Sequence, residues 1–177
     1  MRRWLFVGVV LLHAVVLLGW AATLEQARAR AAIVRLEVAP VDPRDLLRGE
    51  YIWLRYVVST LKEADFGPRP PTWSDVGRTV YVALAPRDGR RVVAAASLER
   101  EALRVEPGQS LMVGRLRHAL TGRGSSAPLG VDYGIERYYV PEGKGTPPPG
   151  RLEADVALTA DGRAFLVRLY VDGAPYP

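Results

Sequence analysis

Arg151-Leu152-Glu153-Ala154-Asp155-Val156-Ala157-Leu158-Thr159-Ala160-Asp161-Gly162-Arg163-Ala164-Phe165-Leu166-Val167-Arg168-Leu169-Tyr170-Val171 is the stretch that decides the fold class. Leu152, Ala154, Val156 and Leu158 alternate with Arg151, Glu153 and Asp155, so an extended chain has one apolar and one charged face. Asp161-Gly162 supplies a residue pair that tolerates the backbone of a tight hairpin turn. Phe165, Val167, Leu169 and Val171 return with the same period, which predicts a strand with those four side chains turned inward. A lone hairpin is marginal in water, so the rest of the chain must complete the core.

It does so with further strands. Val34, Leu36 and Val38 alternate with Arg35 and Glu37. Thr79–Ala85 and Arg91–Ser97 flank a turn whose Asp88-Gly89 is a second hairpin signal. Glu106-Pro107-Gly108-Gln109 reads as a turn before a strand at Ser110–Leu116. Tyr51–Ser59 is mostly aromatic or β-branched, without a breaker, and reads as one strand, with Tyr51, Trp53 and Arg55 on one face and Ile52, Leu54 and Tyr56 on the other. Val131–Val140 reads as another, with Gly134 at a bulge. Asp65–Ser74 is a proline-rich loop barred from a central strand. Thr121–Gly130 is a Gly/Ser-rich loop, and Pro141–Gly150 an open one. About eight short strands with little helix predict a mainly β domain, an antiparallel β-sandwich or barrel-like fold. No internal repeat is visible.

Ahead of this domain, Trp4–Leu24 is apolar apart from His13. Such a stretch, as a helix, rises about 30 Å, the thickness of a bilayer's hydrocarbon core. It is too long for the apolar core of a cleaved signal peptide, so residues 4–24 are expected to remain as a membrane anchor. The expected organisation is an anchor helix and stalk at 1–31, then a soluble β-rich domain at 32–177. Arg2 and Arg3 before the span give it the form of a signal-anchor, which places the β-domain outside the cytoplasm; Arg28, Arg30 and Arg35 pull the other way. His13 reads as a tolerated neutral imidazole or, alternatively, as a proton-relay group. The net charge is +5, Lys62 and Lys144 are the only lysines, and the arginines are scattered. Without an aromatic-interleaved basic patch, no nucleic-acid partner is expected. There is no cysteine, which excludes disulfides and thiolate metal sites.

A second stretch points to a family. In Val41-Asp42-Pro43-Arg44-Asp45-Leu46-Leu47-Arg48, Asp42 suits the cap of a helical turn, Pro43 its first position and Asp45 its acid-favouring first turn. Gly49 suits a left-handed exit. Gly49-Glu50-Tyr51-Ile52-Trp53-Leu54-Arg55-Tyr56 then resembles the signature of the GDYXXLXY proteins, with Glu50 in place of the pattern's Asp. Tyr133-Gly134-Ile135-Glu136-Arg137-Tyr138-Tyr139-Val140-Pro141-Glu142-Gly143-Lys144-Gly145 fits the same family. That resemblance implies a small, membrane-anchored, mostly bacterial accessory protein that works beside a polytopic membrane protein. It also picks out the candidate binding residues: Asp42, Arg48, Gly49, Glu50, Tyr51, Leu54, Tyr56, Tyr133, Glu136, Tyr139, Glu142, Gly143, Lys144 and Gly145.

Gly143-Lys144-Gly145-Thr146 is no phosphate loop, because Gly145 stands where Ser or Thr is needed and Tyr138 where the first Gly is needed. Lys144 with Ser59, Ser97 or Ser110 supplies the residue types of a Ser/Lys hydrolase acting on peptides or envelope components, but no serine lies in a recognisable motif. His118 is the lone imidazole of the soluble domain. Asp42, Asp45 and Glu50 have local backbone work as caps, so no metal and no cofactor is expected. A small-ligand or lipid-binding barrel is the third class. The preferred reading is a non-catalytic accessory or binding protein, with its tyrosines at an interface or in the core.

Overall fold

The computed structural model describes residues 2–39, 51–67, 69–118, 129–139 and 147–176. The chain divides into two compact units, Met1–Ala31 and Ala32–Pro177. The first holds one helix, α1 (Arg2–Ala29). Its segment Phe6–Gln26 is long and apolar enough to cross a membrane. His13 meets that helix's own backbone, with Nδ1 2.8 Å from the Val9 carbonyl oxygen. The imidazole therefore has a polar partner without a second helix.

The second unit is built from strands. Among the described residues they are β1 (Ala32–Val38), β2 (Tyr51–Trp53), β3 (Thr60–Leu61), β4 (Thr79–Arg87), β5 (Arg90–Ser97), β6 (Ser110–His118), β7 (Leu129–Asp132), β8 (Arg137–Tyr139), β9 (Leu152–Leu158), β10 (Ala164–Val171) and β11 (Ala174–Tyr176). All pairings are antiparallel. One sheet runs β1-β9-β10-β11, a second runs β3-β7-β6-β4-β5, and β2 with β8 forms a ribbon. Leu36, Val156 and Leu169 from the first sheet, Val82, Met112 and Leu116 from the second, Ile52 from the ribbon and Leu54 just after it meet in one core. The sheets wrap that core as a nearly closed barrel. On the outside, Arg35 donates to both Asp155 oxygens at 2.8 and 3.0 Å and lies 4.1 Å over the Tyr170 ring. The hydrogen bond from Arg35 holds the Asp155 carboxyl below its ordinary range.

The hairpins follow their turn residues. Asp88 and Gly89 both have positive φ (51° and 74°) between β4 and β5, as a tight hairpin with right-handed strand twist requires. The Glu106–Gln109 turn closes with a 3.0 Å bond from the Gln109 N–H to the Glu106 carbonyl.

Three expectations are corrected. Tyr51–Ser59 is not one strand: β2 ends at Trp53, a 3-10 turn occupies Val57–Ser59, and β3 follows. The chain changes partner as it goes, from β8 to β1 through the Val38–Tyr56 bridge and then, at Thr60–Leu61, to β7. Uniform β propensity cannot report a change of neighbour. Val131–Val140 is likewise divided, with β7 and β8 in different sheets and a turn between them where Gly134 has φ 81°. Third, Val167 is 51 % exposed. It is the extra residue of a bulge between the Leu166–Val156 and Arg168–Asp155 pairs. The inner face is therefore Ala164 and Leu166 before the bulge, Leu169 and Val171 after it. Asp172-Gly173, also at positive φ, turns the chain into β11, a hairpin the sequence reading passed over.

The bulge makes a direct prediction. Val167→Ser is expected to change unfolding free energy by no more than about 0.5 kcal/mol. Leu169→Ala should cost about 2–5 kcal/mol. Chemical denaturation of both variants checks this; a large loss at Val167 would restore the regular alternation.

Candidate functional site

The two family motifs meet in the β2–β8 ribbon. Tyr51 pairs with Tyr139, Ile52 with Tyr138 and Trp53 with Arg137. Alternation places the first and third pairs on one face and the middle pair on the other. The inner face buries Ile52 and half-buries Tyr138, whose hydroxyl donates to the Tyr176 carbonyl at 3.2 Å. On the outer face the Tyr51 and Tyr139 rings lie 6.0 Å apart, tilted by 58°. The Arg137 guanidinium lies 5.6 Å from the Tyr51 ring centre and 5.7 Å from that of Trp53. Such a cation over aromatic faces is held by the ring quadrupole. Tyr139 remains 67 % exposed.

Inward of this face the motifs are stitched by buried polar groups. The Tyr56 hydroxyl donates to the Ile135 carbonyl at 2.8 Å, and the Tyr133 hydroxyl to the Val58 carbonyl at 2.7 Å. The Leu54 N–H donates to the Glu136 carbonyl at 2.6 Å. The Glu136 carboxylate, itself buried, accepts the Tyr133 N–H at 2.5 Å across the turn containing Gly134. Burial first, and then the Glu136 charge, push both the Tyr56 and Tyr133 hydroxyls up from their ordinary value of 10.0. At the same place the Ser59 Oγ is buried with no hydrogen-bond partner among the described residues.

The candidate residues therefore separate. Leu54, Tyr56, Tyr133 and Glu136 are brought together in the interior, while Tyr51 and Tyr139 are paired on the outer face. Asp42, Arg48, Gly49, Glu50, Glu142, Gly143, Lys144 and Gly145 lie outside the described residues, as do the capped turn and the Gly143–Thr146 loop. Of the serines considered with Lys144, Ser59 is buried and the Ser97 Oγ accepts the Glu99 N–H at 3.0 Å. The His118 ring packs over Gly130 so closely that a Cβ there would lie 2.5 Å from it. No group of three His, Asp or Glu side chains able to hold a metal occurs among the described residues. Arg137 is not among the residues the resemblance picks out: the sequence shows it beside Tyr138 in the second motif, but its facing partners Tyr51 and Trp53 appear only in the fold.

A nearly closed antiparallel β-domain preceded by one long apolar helix, with paired aromatic motifs on a two-stranded ribbon, defines the class of protein. The chain belongs to the GDYXXLXY family: the family model described as GDYXXLXY protein matches residues 13–169. No curated protein and no solved structure matches it.

Two tests follow for the buried tyrosines. Tyr56→Phe or Tyr133→Phe strands a buried carbonyl and should cost about 1–3 kcal/mol at neutral pH. Their folded-state pKa values are raised, so the stability they contribute is fully present below pH 10.0 and lost above it, as the unfolded chain ionises first. The unfolding free energy should fall above pH 10, and less steeply in the Tyr56→Phe/Tyr133→Phe double variant. Denaturation curves at stepped alkaline pH decide; identical slopes would contradict the assignment.

Proposed function

We propose that this protein is a single-pass, membrane-anchored, non-catalytic binding subunit whose β-domain lies outside the cytoplasm and docks on a polytopic membrane partner. The observation that carries the reading is the outer ribbon face. Tyr51, Trp53, Arg137 and Tyr139 stand together there, whereas Tyr56, Tyr133 and Glu136 are consumed in holding the fold. Tyrosine, tryptophan and arginine are the residues that dominate binding energy at protein interfaces, because they bury much area at little entropy cost. A ring pair already fixed by strand pairing loses less freedom on docking.

The long apolar helix supports the anchor, and Arg2-Arg3 before it supports a cytoplasmic N-terminus. The Ser97 Oγ accepts the Glu99 N–H and Lys144 lies outside the described residues, so no observation here favours the Ser/Lys hydrolase.

The test is in vivo crosslinking and affinity purification of the tagged full chain from detergent-solubilised membranes. One polytopic protein should copurify in comparable amount, be lost when residues 1–31 are removed, and be lost with Arg137→Glu/Tyr139→Ser while circular dichroism stays native. Recovery of the chain alone, or undiminished recovery of the partner with the double variant, overturns the reading.

A further inference from the structure

The charges on the ribbon face restrict what can dock there. Exposure alternates along the chain: Tyr51, Trp53, Arg55 and Val57 reach the surface, and Ile52, Leu54 and Tyr56 between them are buried. Across the ribbon, Arg137 and Tyr139 share that outer face through their pairs with Trp53 and Tyr51. The face therefore sets the rings of Tyr51, Trp53 and Tyr139 beside the guanidinium groups of Arg55 and Arg137.

Neither cation has an ion pair among the described residues. Arg137 lies over the Tyr51 and Trp53 rings, which attract its charge without accepting its N–H groups as a carboxylate would. The described acids closest in register or sequence are engaged elsewhere. The antiparallel Val38–Tyr56 bridge sets Glu37 opposite Val57, and Glu37 meets Arg90 at 3.1 Å. Asp132 meets Arg117 at 3.4 Å. Glu136 is buried, and its Oε1 accepts the Tyr133 N–H. Among the described residues, the positive charge of the face is thus unopposed.

A surface that covers this face takes both guanidinium groups out of water. Such a loss is costly unless a counter-charge replaces the solvent. The planar fork of N–H donors on a guanidinium matches the two oxygens of a carboxylate.

We propose that the ribbon face recognises an acidic protein segment, a stretch of the polytopic partner that sets Asp or Glu carboxylates on Arg137 and Arg55 and packs apolar side chains on Tyr51, Trp53 and Tyr139. This rests on the docking reading above and names the chemistry of what docks. The rings supply contact area. The cations supply partner choice, because a basic surface is repelled at the same place.

The test places p-benzoylphenylalanine at Val57, at the rim of the face and outside the contact set, in the tagged full chain in its native membrane. Irradiation and mass spectrometry then identify the segment it reaches, which should belong to a polytopic protein and contain Asp or Glu. Arg55→Glu/Arg137→Glu should lower the crosslink yield at least about tenfold, and Arg55→Lys/Arg137→Lys should keep most of it. Arginine in place of the partner's acids should restore the yield of the glutamate variant. Circular dichroism should be native for every variant. A crosslinked segment without an acid, a yield indifferent to the glutamate substitutions, or no rescue by the exchanged charges overturns the acidic assignment while the docking reading stands. Crosslinking only to lipid, only to a second copy of the chain, or to nothing overturns both.

Discussion

A carbonyl buried away from water must find a donor, and in this domain two of them find a motif tyrosine. Tyr56 reaches the backbone at Ile135, and Tyr133 reaches the backbone at Val58. The exchange is nearly reciprocal: Tyr56 sends its phenol into the second motif's main chain, and Tyr133 sends its own to the backbone just past the first. The Leu54 N–H bond to Glu136 makes a third tie. Phenylalanine fills the same space but cannot make these bonds, and water cannot enter a packed core to replace them. The ribbon, the turn at Gly134 and the bend at Val57–Ser59 all rest on this exchange.

It also explains why one motif contains aromatics of two kinds. Strand alternation sends Ile52, Leu54 and Tyr56 inward and leaves Tyr51 and Trp53 on the other side. The inward set specifies position, because a hydroxyl bonded to one carbonyl admits one register. The outward set is held by that register yet contributes little to the core. A surface with preset geometry and small structural obligation can be committed to recognition.

Local pattern made part of this legible. The β9–β10 hairpin, the Asp88-Gly89 turn and the inward faces of β1 and β2 follow from side-chain alternation and turn chemistry, which adjacent residues carry. What the sequence concealed was where a strand changes partner. Tyr51–Leu61 reads as one β-prone run but pairs with three neighbours. Gly134 suits a bulge and a turn equally well, and only the separation of β7 from β8 decides between them. The bulge at Val167 inverts the face of everything before it, and no residue there announces it. For the site, motif membership located the right region but could not divide it into interior and surface. Tyr56 and Tyr139 look alike in sequence, and only burial separates them.

The pairing of β1 has a consequence for how the domain is made. Among the described residues its ladder partner is β9, and the Arg35–Asp155 contact spans 120 residues. The strand nearest α1 is thus synthesised early and can be completed only after Leu152–Leu158 has appeared. Closing so long a loop costs entropy before any ladder bond repays it, so the topology favours slow, late closure. Until then the newborn chain carries an alternating apolar strand with an unpaired edge. Glu37 and Arg35 on that strand, charged and turned outward, are the groups that keep such an edge from recruiting a neighbouring chain.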